Sequence, residues 1–191
     1  MKACLVDGFD IMADELIDIF DENNHPLSIQ RMKSEAHREG LWHRATHIWI
    51  YNSKGEILLQ LRAKEKLLYP DMWDVSVAGH VSVGEDPVNS GLRESQEEIG
   101  LEFEREDLEF FRIKKVSATY NKIKNNEFYY VYFLRHDGQV KKLRLQNEEV
   151  GAIQFFNPQK IEEGIKTDPG RYVPHGNYWF EVIKEVNKRL A

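Results

Sequence analysis

The most informative part of the 191-residue chain is residues 79–101, which read GHVSVGEDPVNSGLRESQEEIGL. Asp86 is a good helix N-cap, because its carboxylate can accept hydrogen bonds from the free N–H groups of a first turn. Pro87 suits the first helical position, and Gly100 can adopt the left-handed conformation that ends a helix. The sequence therefore predicts an α-helix over residues 87–99.

The predicted helix has two different faces. At about 100° per residue, four side chains fall on one stripe that should face the core, namely Val88, Leu92, Ser95 and Ile99. Glu94, Glu97 and Glu98 gather on a second stripe. Their carboxylates are the oxygen ligands that Mg²⁺ or Mn²⁺ prefers, and a substrate phosphate can complete the shell. Taken alone, a Glu-rich helix is more often only a solvated acidic face.

Composition narrows the classes of function that suit this chain. Apolar residues make up 41% of the sequence and charged residues 30%, which is enough to build one core. The net charge of −6 argues against binding to a nucleic acid polymer. The single cysteine, Cys4, excludes an internal disulfide and indicates a cytoplasmic setting. We expect no signal sequence, no membrane partner and a small-molecule ligand.

The rest of the chain reads as many strands with a few helices between them. Two hairpins are expected, one over residues 15–30 and one over residues 43–61 with its turn at Asn52–Gly55. Further strands are predicted at 75–78, 108–119, 128–134, 140–145 and 152–156, and further helices at 158–163 and 178–190. This pattern favours an α/β fold with a mixed β-sheet covered on both faces. We expect residues 1–14 to be loosely held and residues 15–191 to form one domain.

The spacing within residues 79–101 is Gly-x5-Glu-x7-Arg-Glu-x2-Glu-Glu-x-Gly-Leu, and it resembles the Nudix box of the Nudix hydrolase family. One position departs from the family pattern, because Ser95 stands where a larger apolar residue is usual. We interpret this as a change in packing and not in chemistry. The resemblance extends over about residues 44–164. It implies the Nudix fold, an α/β/α sandwich, here with an extra N-terminal β-hairpin.

The resemblance implies a Mg²⁺- or Mn²⁺-dependent hydrolase that cleaves a nucleoside diphosphate linked to another group. Water attacks the diphosphate bridge in this family. Arg93 and Glu85 would pair and so fix the loop against the helix. The implied metal ligands are Glu94, Glu97, Glu98 and the backbone carbonyl of Gly79. The implied catalytic residues are Glu85, Arg93, Glu94 and Glu98.

The general base stays open at this stage. A carboxylate must take a proton from the attacking water. In the family this base lies sometimes inside the box and sometimes on a later loop. The candidates inside the box are Glu94 and Glu98, and those outside it are Glu127, Glu148 and Glu149. The sequence does not choose among them.

A second resemblance is to type I isopentenyl-diphosphate isomerase, a branch of the same superfamily. It runs through residues 41–45, 49–55, 62–63, 70–73 and 79–80. In that isomerase, histidines that match His43 and His80 bind a metal, and a cysteine acts on the carbon skeleton. Ala78 stands at the position of this cysteine. Because alanine cannot exchange a proton, we expect hydrolysis and not isomerisation.

Four further residues are expected to contact the substrate, namely His43, His80, Arg62 and Glu127. Two alternative functions stay open beside hydrolysis. The chain could be an isomerase-like protein, or a non-catalytic module that uses the cleft to sense a nucleotide or bind a partner. The family often forms homodimers, and nothing in the sequence decides the oligomeric state or the identity of the diphosphate substrate.

Overall fold

The computed structural model describes residues 14–121 and 123–191. Within these residues the chain forms nine strands and four α-helices. The first part contains β1 (Leu16–Phe20), β2 (Pro26–Met32), α1 (Lys33–Glu39), β3 (His43–Tyr51), β4 (Ile57–Arg62), β5 (Trp73–Asp74), β6 (Val77–His80) and α2 (Pro87–Ile99). The second part contains β7 (Glu109–Tyr120), β8 (Ile123–Arg135), β9 (Val150–Phe156), α3 (Pro158–Thr167) and α4 (Tyr178–Leu190).

Seven of these strands form one mixed sheet. Its main path runs β5-β4-β3-β8-β7, while β6 pairs with β3 and β9 pairs with β4. The pairing of β3 with β8 is parallel, and the other pairings of this sheet are antiparallel. In the parallel register His43 lies opposite Glu127. This register places two of the predicted substrate-binding residues side by side.

Helices cover both faces of the sheet. Successive side chains of β3 point to opposite faces and join two different apolar clusters. Trp49 points to one face, where it packs with residues of α3 and α4 such as Ile161 and Val182. Ile48 points to the other face and packs with Ile99 of α2. These two clusters make the chain an α/β/α sandwich, as the sequence predicts. His43 and His47 share the Trp49 face by the two-residue period of the strand.

An N-terminal antiparallel hairpin precedes the sheet, which confirms that prediction as well. β1 pairs with β2, and Ile17 and Ile19 bury their side chains against Ala36 of α1. The expected loose segment at residues 1–14 lies outside the described residues except for Asp14. The carboxylate of Asp14 accepts hydrogen bonds from the N–H and the hydroxyl of Ser34.

Among the described residues, one predicted strand is absent, and one helix was not predicted. The strand predicted at residues 140–145 is a short 3₁₀ turn, Val140–Lys142, followed by a loop. Leu143 and Leu145 pack against a core cluster from this loop, so their alternation reflects burial without strand pairing. Helix α1 has no counterpart among the predicted elements, because its seven residues are too few to show a helical period. The helices predicted at 87–99 and 178–190 have the expected bounds.

Candidate active site

Helix α2 carries most of the predicted site, and its caps are those that the sequence predicts. Asp86 accepts hydrogen bonds from the N–H groups of Val88 and Asn89 at 2.9 and 3.0 Å. Gly100 ends the helix with a left-handed φ of 65°, and its N–H donates to the carbonyl of Gln96. These two caps fix where the glutamates of the helix lie relative to the sheet.

The buried face of α2 includes three small residues, Ser90, Gly91 and Ser95. A Cβ on Gly91 would lie 3.0 Å from the Ile48 side chain of β3, so helix and strand approach closely here. Ser95 and Ile99 are fully buried, whereas Leu92, which is expected on the same core-facing stripe, is only half-buried. The close approach explains the serine: a larger side chain at position 95 would have to push the helix away from the sheet.

The three glutamates of α2 differ in exposure but line one cavity. Glu98 is buried, with 6% of its surface exposed, and Glu97 is exposed. The carboxylate of Glu98 accepts hydrogen bonds from the N–H of Ala78 at 3.3 Å and from the side chain of Gln60 at 3.4 Å. Glu94 is half-buried between these two extremes. Glu98 thus lies on the buried side of the helix, not on an acidic face apart from it.

Burial changes the acidity of two of these carboxylates. It raises the pKa of Glu98 to about 8, and the nearby charge of Glu94 adds to the effect. It also raises the pKa of Glu94 to about 7, although the charge of Arg93 opposes it. Two crowded carboxylates that resist ionisation are stabilised as anions by a cation placed between them. An all-oxygen donor set of this kind fits a hard divalent cation.

Arg93 joins the helix to the preceding loop. Its Nε and one terminal nitrogen donate to the two carboxylate oxygens of Glu85 at 3.3 and 3.2 Å. The other terminal nitrogen donates to Glu94 at 2.8 Å and to Glu97 at 3.1 Å. Arg93 also donates to the carbonyl of His80 at 3.2 Å. Because Glu85 contacts Arg93 and does not line the cavity, we assign it a positioning role.

A second group of possible ligands lies beside the glutamates. Four side chains each offer one ligand atom, and these atoms lie within 4.8 Å of one another: His37, His43, His80 and Glu127. Glu127 Oε1 is 3.2 Å from Nε2 of both His43 and His80. In addition, His80 Nδ1 is 3.4 Å from Glu15 of the N-terminal hairpin. We call these four residues the histidine cluster.

Hydrogen bonding indicates that the histidine cluster fits a metal ion. His43 Nδ1 donates to the carbonyl of Leu41 at 2.9 Å, so in the neutral ring Nε2 carries a lone pair. In that neutral ring the lone pair faces the Glu127 carboxylate at 3.2 Å, so two acceptors meet, and a bound cation or a proton between them would stabilise the arrangement. The Nε2 atoms of His37, His43 and His80 are buried, and none has a hydrogen-bond partner among the described residues. Three imidazole nitrogens and a carboxylate are a donor set that suits first-row metals.

The pKa of each residue in the histidine cluster depends on the charges of its neighbours. Burial, together with the charge on His80, lowers the pKa of His37 to about 3. Burial would also lower the pKa of His80, but the nearby carboxylates of Glu127 and Glu15 outweigh it and raise that pKa. Burial would raise the pKa of Glu127, yet His43 and His80 hold it well below its ordinary value. Glu127 is therefore an anion between imidazoles.

The cavity of about 450 Å³ brings most of the predicted residues together. The α2 glutamates, Arg62, His80 and Glu127 line it. Arg62 is held in place, since Nε donates to the carbonyl of Leu68 at 2.9 Å and a terminal nitrogen donates to Asp74 at 3.0 Å. His43 is fully buried and does not line the cavity. That His43 contacts substrate stays a prediction, and its burial within the cluster favours a role as metal ligand.

The match to a known family covers most of the chain. Residues 19–175 match the NUDIX domain. The chain belongs to the Nudix family. Residues 79–101 are its Nudix box, and the cavity that this box lines is the Nudix cleft.

Proteins similar to this chain include Nudix hydrolases and isopentenyl-diphosphate isomerases. Nudix hydrolase 3 of Arabidopsis thaliana is 32% identical over 184 residues, which cover 91% of this chain but only 24% of that protein. The isopentenyl-diphosphate Delta-isomerase of Serratia proteamaculans is 28% identical over 170 residues, 89% of each chain. Among solved structures, DR0079 from Deinococcus radiodurans has a TM-score of 0.66 at 22% identity and covers 90% of this chain and 99% of its own. That likeness shows the Nudix fold.

Several residues of the Nudix cleft were not expected from the sequence. His37 completes the histidine cluster, and its only signal is its place six residues before His43. Asp74 and His175 lie 101 residues apart in sequence, yet His175 Nε2 is 2.6 Å from Asp74 Oδ1 at the wall of the cleft. Within residues 14–121 and 123–191, no helix combines the length and the apolar character that crossing a membrane requires.

Proposed function

We propose that this chain is a divalent-metal-dependent hydrolase that cleaves the diphosphate bond of a nucleoside diphosphate linked to another group. One observation carries the proposal. Glu94, Glu97 and Glu98 line a single cavity, and crowding and burial raise the pKa of two of them. A bound Mg²⁺ or Mn²⁺ supplies charge neutralisation for the diphosphate and lowers the pKa of a water molecule.

Glu98 is the carboxylate best suited to accept the proton of the attacking water. It is buried in the cleft, and burial raises its pKa to about 8, so a divalent cation beside it would restore the anion that accepts the proton. Glu148 is exposed and does not line the cleft. Glu149 lines the cleft but is paired with Lys66. Glu127 is held by imidazoles of the histidine cluster.

The proposed hydrolysis consumes one water molecule and needs no other co-reactant. The water oxygen forms a bond to one phosphorus, the bridging P–O bond breaks, and the proton of the water passes to Glu98. Arg93 keeps Glu94 and Glu97 in place by hydrogen bonds to both. The histidine cluster offers a second place for a divalent metal in the same cleft. Hydrolysis is favoured over isomerisation because Ala78, which lines the cleft, carries no exchangeable proton.

Product analysis in labelled water tests this proposal. The purified chain is incubated with nucleoside diphosphate sugars and dinucleoside polyphosphates, with Mg²⁺, with Mn²⁺ and with a chelator. We expect metal-dependent release of nucleotide, with ¹⁸O from water on one of the two phosphates. Binding of metal without turnover of any member of the panel would contradict the proposal. Incorporation of deuterium into isopentenyl diphosphate in heavy water would favour the isomerase alternative instead.

A further inference from the structure

A smaller cavity of about 240 Å³ adjoins the Nudix cleft. The two cavities share six lining residues: Leu68, Tyr69, Asn125, Tyr129, Val173 and His175. The other residues of the smaller cavity include Val116, Ala118, Tyr120 and Pro174. Aromatic and aliphatic side chains dominate this wall, so the smaller cavity suits a flat or apolar group that is joined to a diphosphate in the cleft.

His47 presents a fixed, uncharged donor near the junction. Burial lowers its pKa to about 3, so the ring is neutral at physiological pH. The indole N–H of Trp49 donates to the hydroxyl of Tyr178 at 2.9 Å, which leaves the single Tyr178 proton to face His47 Nδ1 at 3.4 Å. This contact favours the tautomer in which His47 Nδ1 accepts and Nε2 carries the hydrogen. Nε2 makes no hydrogen bond to any residue that the structure describes, and His47 lines the cleft.

His175 presents the complementary atom. Its Nε2 lies 2.6 Å from the carboxylate of Asp74, which also accepts from Arg62 at 3.0 Å. Because an ionised carboxylate only accepts, His175 Nε2 carries the hydrogen, and Nδ1 is the second polar atom of the ring. The two imidazole rings are 6.0 Å apart, and Tyr129 stacks on His47 at 3.9 Å.

The charges at this end of the cleft cancel. Arg62 and Asp74 form a largely buried ion pair, His47 is neutral, and Lys114 in the wall of the smaller cavity is paired with Glu181 at 3.7 Å. An uncharged group is therefore the natural occupant, in contrast to the acidic end formed by α2. A hydroxyl group can both accept a hydrogen bond from His47 Nε2 and donate one to His175 Nδ1. Both polar atoms would then be satisfied by one oxygen of the ligand.

We propose that His47 and His175 together bind a ribose hydroxyl of the substrate and so determine its sugar specificity. This inference rests on the proposed function, since it assigns a site to the nucleoside half of the substrate. The base of that nucleoside lies in the smaller cavity against Tyr69 and Tyr129. Tyr69 has a left-handed φ of 51°, a strained conformation for a bulky residue, and its ring packs 4.7 Å from Tyr120. These contacts hold Tyr69 at the wall that the base would meet.

Binding of a reaction product tests the inference without turnover. Adenosine 5′-monophosphate and its 2′-deoxy and 3′-deoxy analogues are titrated calorimetrically into the chain with Mg²⁺. We expect one deoxy analogue to bind about 10- to 100-fold more weakly than the ribonucleotide. In His47→Phe, which keeps a ring to stack on Tyr129, the ribonucleotide and the deoxy analogue should bind with about equal Kd. His175→Phe should behave in the same way.

Control variants separate the role of His47 from folding. His47→Gln retains an N–H donor and should keep part of the preference. The exposed His25→Gln should leave the preference and the binding unchanged. Equal binding of ribo- and deoxyribonucleotides by the wild-type chain would overturn the inference, as would a preference that persists in both phenylalanine variants. Absence of nucleotide binding at millimolar concentration would overturn it as well.

The binding assay also keeps the two proposals distinguishable. If the wild-type chain prefers ribonucleotides but hydrolyses no diphosphate, the hydroxyl site stands and the hydrolase fails. If diphosphates are hydrolysed with ¹⁸O incorporation but ribose and deoxyribose are treated alike, the hydrolase stands and the hydroxyl site fails. In ¹⁵N spectra of the free chain, His47 should show the neutral form with its hydrogen on Nε2, a signature that a purely structural role in packing does not require.

Discussion

Gly79 and Glu94 pack so closely that no side chain fits between them. A Cβ on Gly79 would lie 2.0 Å from the carboxylate carbon of Glu94 and 2.2 Å from its Oε1. The same Oε1 accepts a hydrogen bond from Arg93 at 2.8 Å, which holds the carboxylate against the backbone of β6. The first glycine of the Nudix box therefore provides the space in which one of its glutamates lies.

Gly79→Ala should displace the carboxylate of Glu94 and lower metal-dependent turnover at least about 10-fold, because a misplaced ligand weakens the positioning of the reactants. The displaced group is the end of a side chain, so thermal unfolding should shift by only a few degrees. Steady-state kinetics and calorimetry measure the two effects. Gly170→Ala is the matched control, since a Cβ there would meet nothing within 4 Å. Wild-type turnover in Gly79→Ala would contradict this interpretation.

Glu98→Gln should lower turnover about 10²- to 10⁴-fold while the fold is retained, because the amide cannot accept the proton of the attacking water. Glu94→Gln should lower turnover as well and weaken the uptake of Mn²⁺, which calorimetry measures. Circular dichroism checks the fold. Glu148→Gln serves as the control, because Glu148 is exposed and lies outside the cleft. Near-normal rates in both Glu94→Gln and Glu98→Gln would contradict the assignment of these glutamates to the catalytic site.

Local signals made helix α2 predictable. Asp86, Pro87 and Gly100 act within one turn of their own positions, so their effect can be read directly from sequence. The packing of α2 was less predictable. Helical periodicity placed Leu92 toward the core, but the close contact of Gly91 with β3 rotates the buried face and takes Glu98 inward with it. The distance between a helix and a sheet depends on the side chains of both, and residues 87–99 contain only those of the helix.

The histidine cluster shows where prediction from sequence stopped. His43 and Glu127 meet because β3 and β8 pair in parallel, and a register between strands 84 residues apart has no local signal. His37 lies on α1, a helix that the periodicity did not indicate. The pairing of Asp74 with His175 likewise depends on how the loop before α4 returns to the sheet. The residue types were visible in the sequence, but their convergence was not.

Arg93→Lys should lower turnover about 10- to 100-fold, because a lysine cannot reproduce the planar fork that contacts Glu85 on one side and Glu94 on the other. A double-mutant cycle with Glu85→Gln provides the measurement. Since both residues act through the same contact, the double variant should lose about as much activity as Arg93→Lys alone. Strictly additive losses would show that Glu85 acts independently of Arg93.

His37→Gln should remove the transition metal that is expected to bind at the histidine cluster. The wild-type chain is expected to take up Mn²⁺ or Zn²⁺ at the histidine cluster, where three buried imidazole nitrogens lack partners among the described residues. Metal analysis after dialysis and calorimetric titration measure the stoichiometry. The exposed His25→Gln should retain the wild-type value. Unchanged stoichiometry in both His37→Gln and Glu127→Gln would contradict a metal site at the cluster.

His47→Phe should make the chain less sensitive to acid. The pKa of His47 is lowered from its ordinary 6.5 to about 3 in the folded chain, so between these values the unfolded chain binds a proton that the folded chain does not. The free energy of unfolding therefore falls as the pH falls from about 6.5 toward 3, by up to about 1.4 kcal/mol per pH unit from this one group. Asp74, His175 and Glu127 also act on His47, and they remain in the variant. Urea unfolding between pH 4 and pH 7 should show a shallower dependence for His47→Phe than for the wild-type chain or His25→Gln, and parallel curves would show that His47 carries a proton in the folded state.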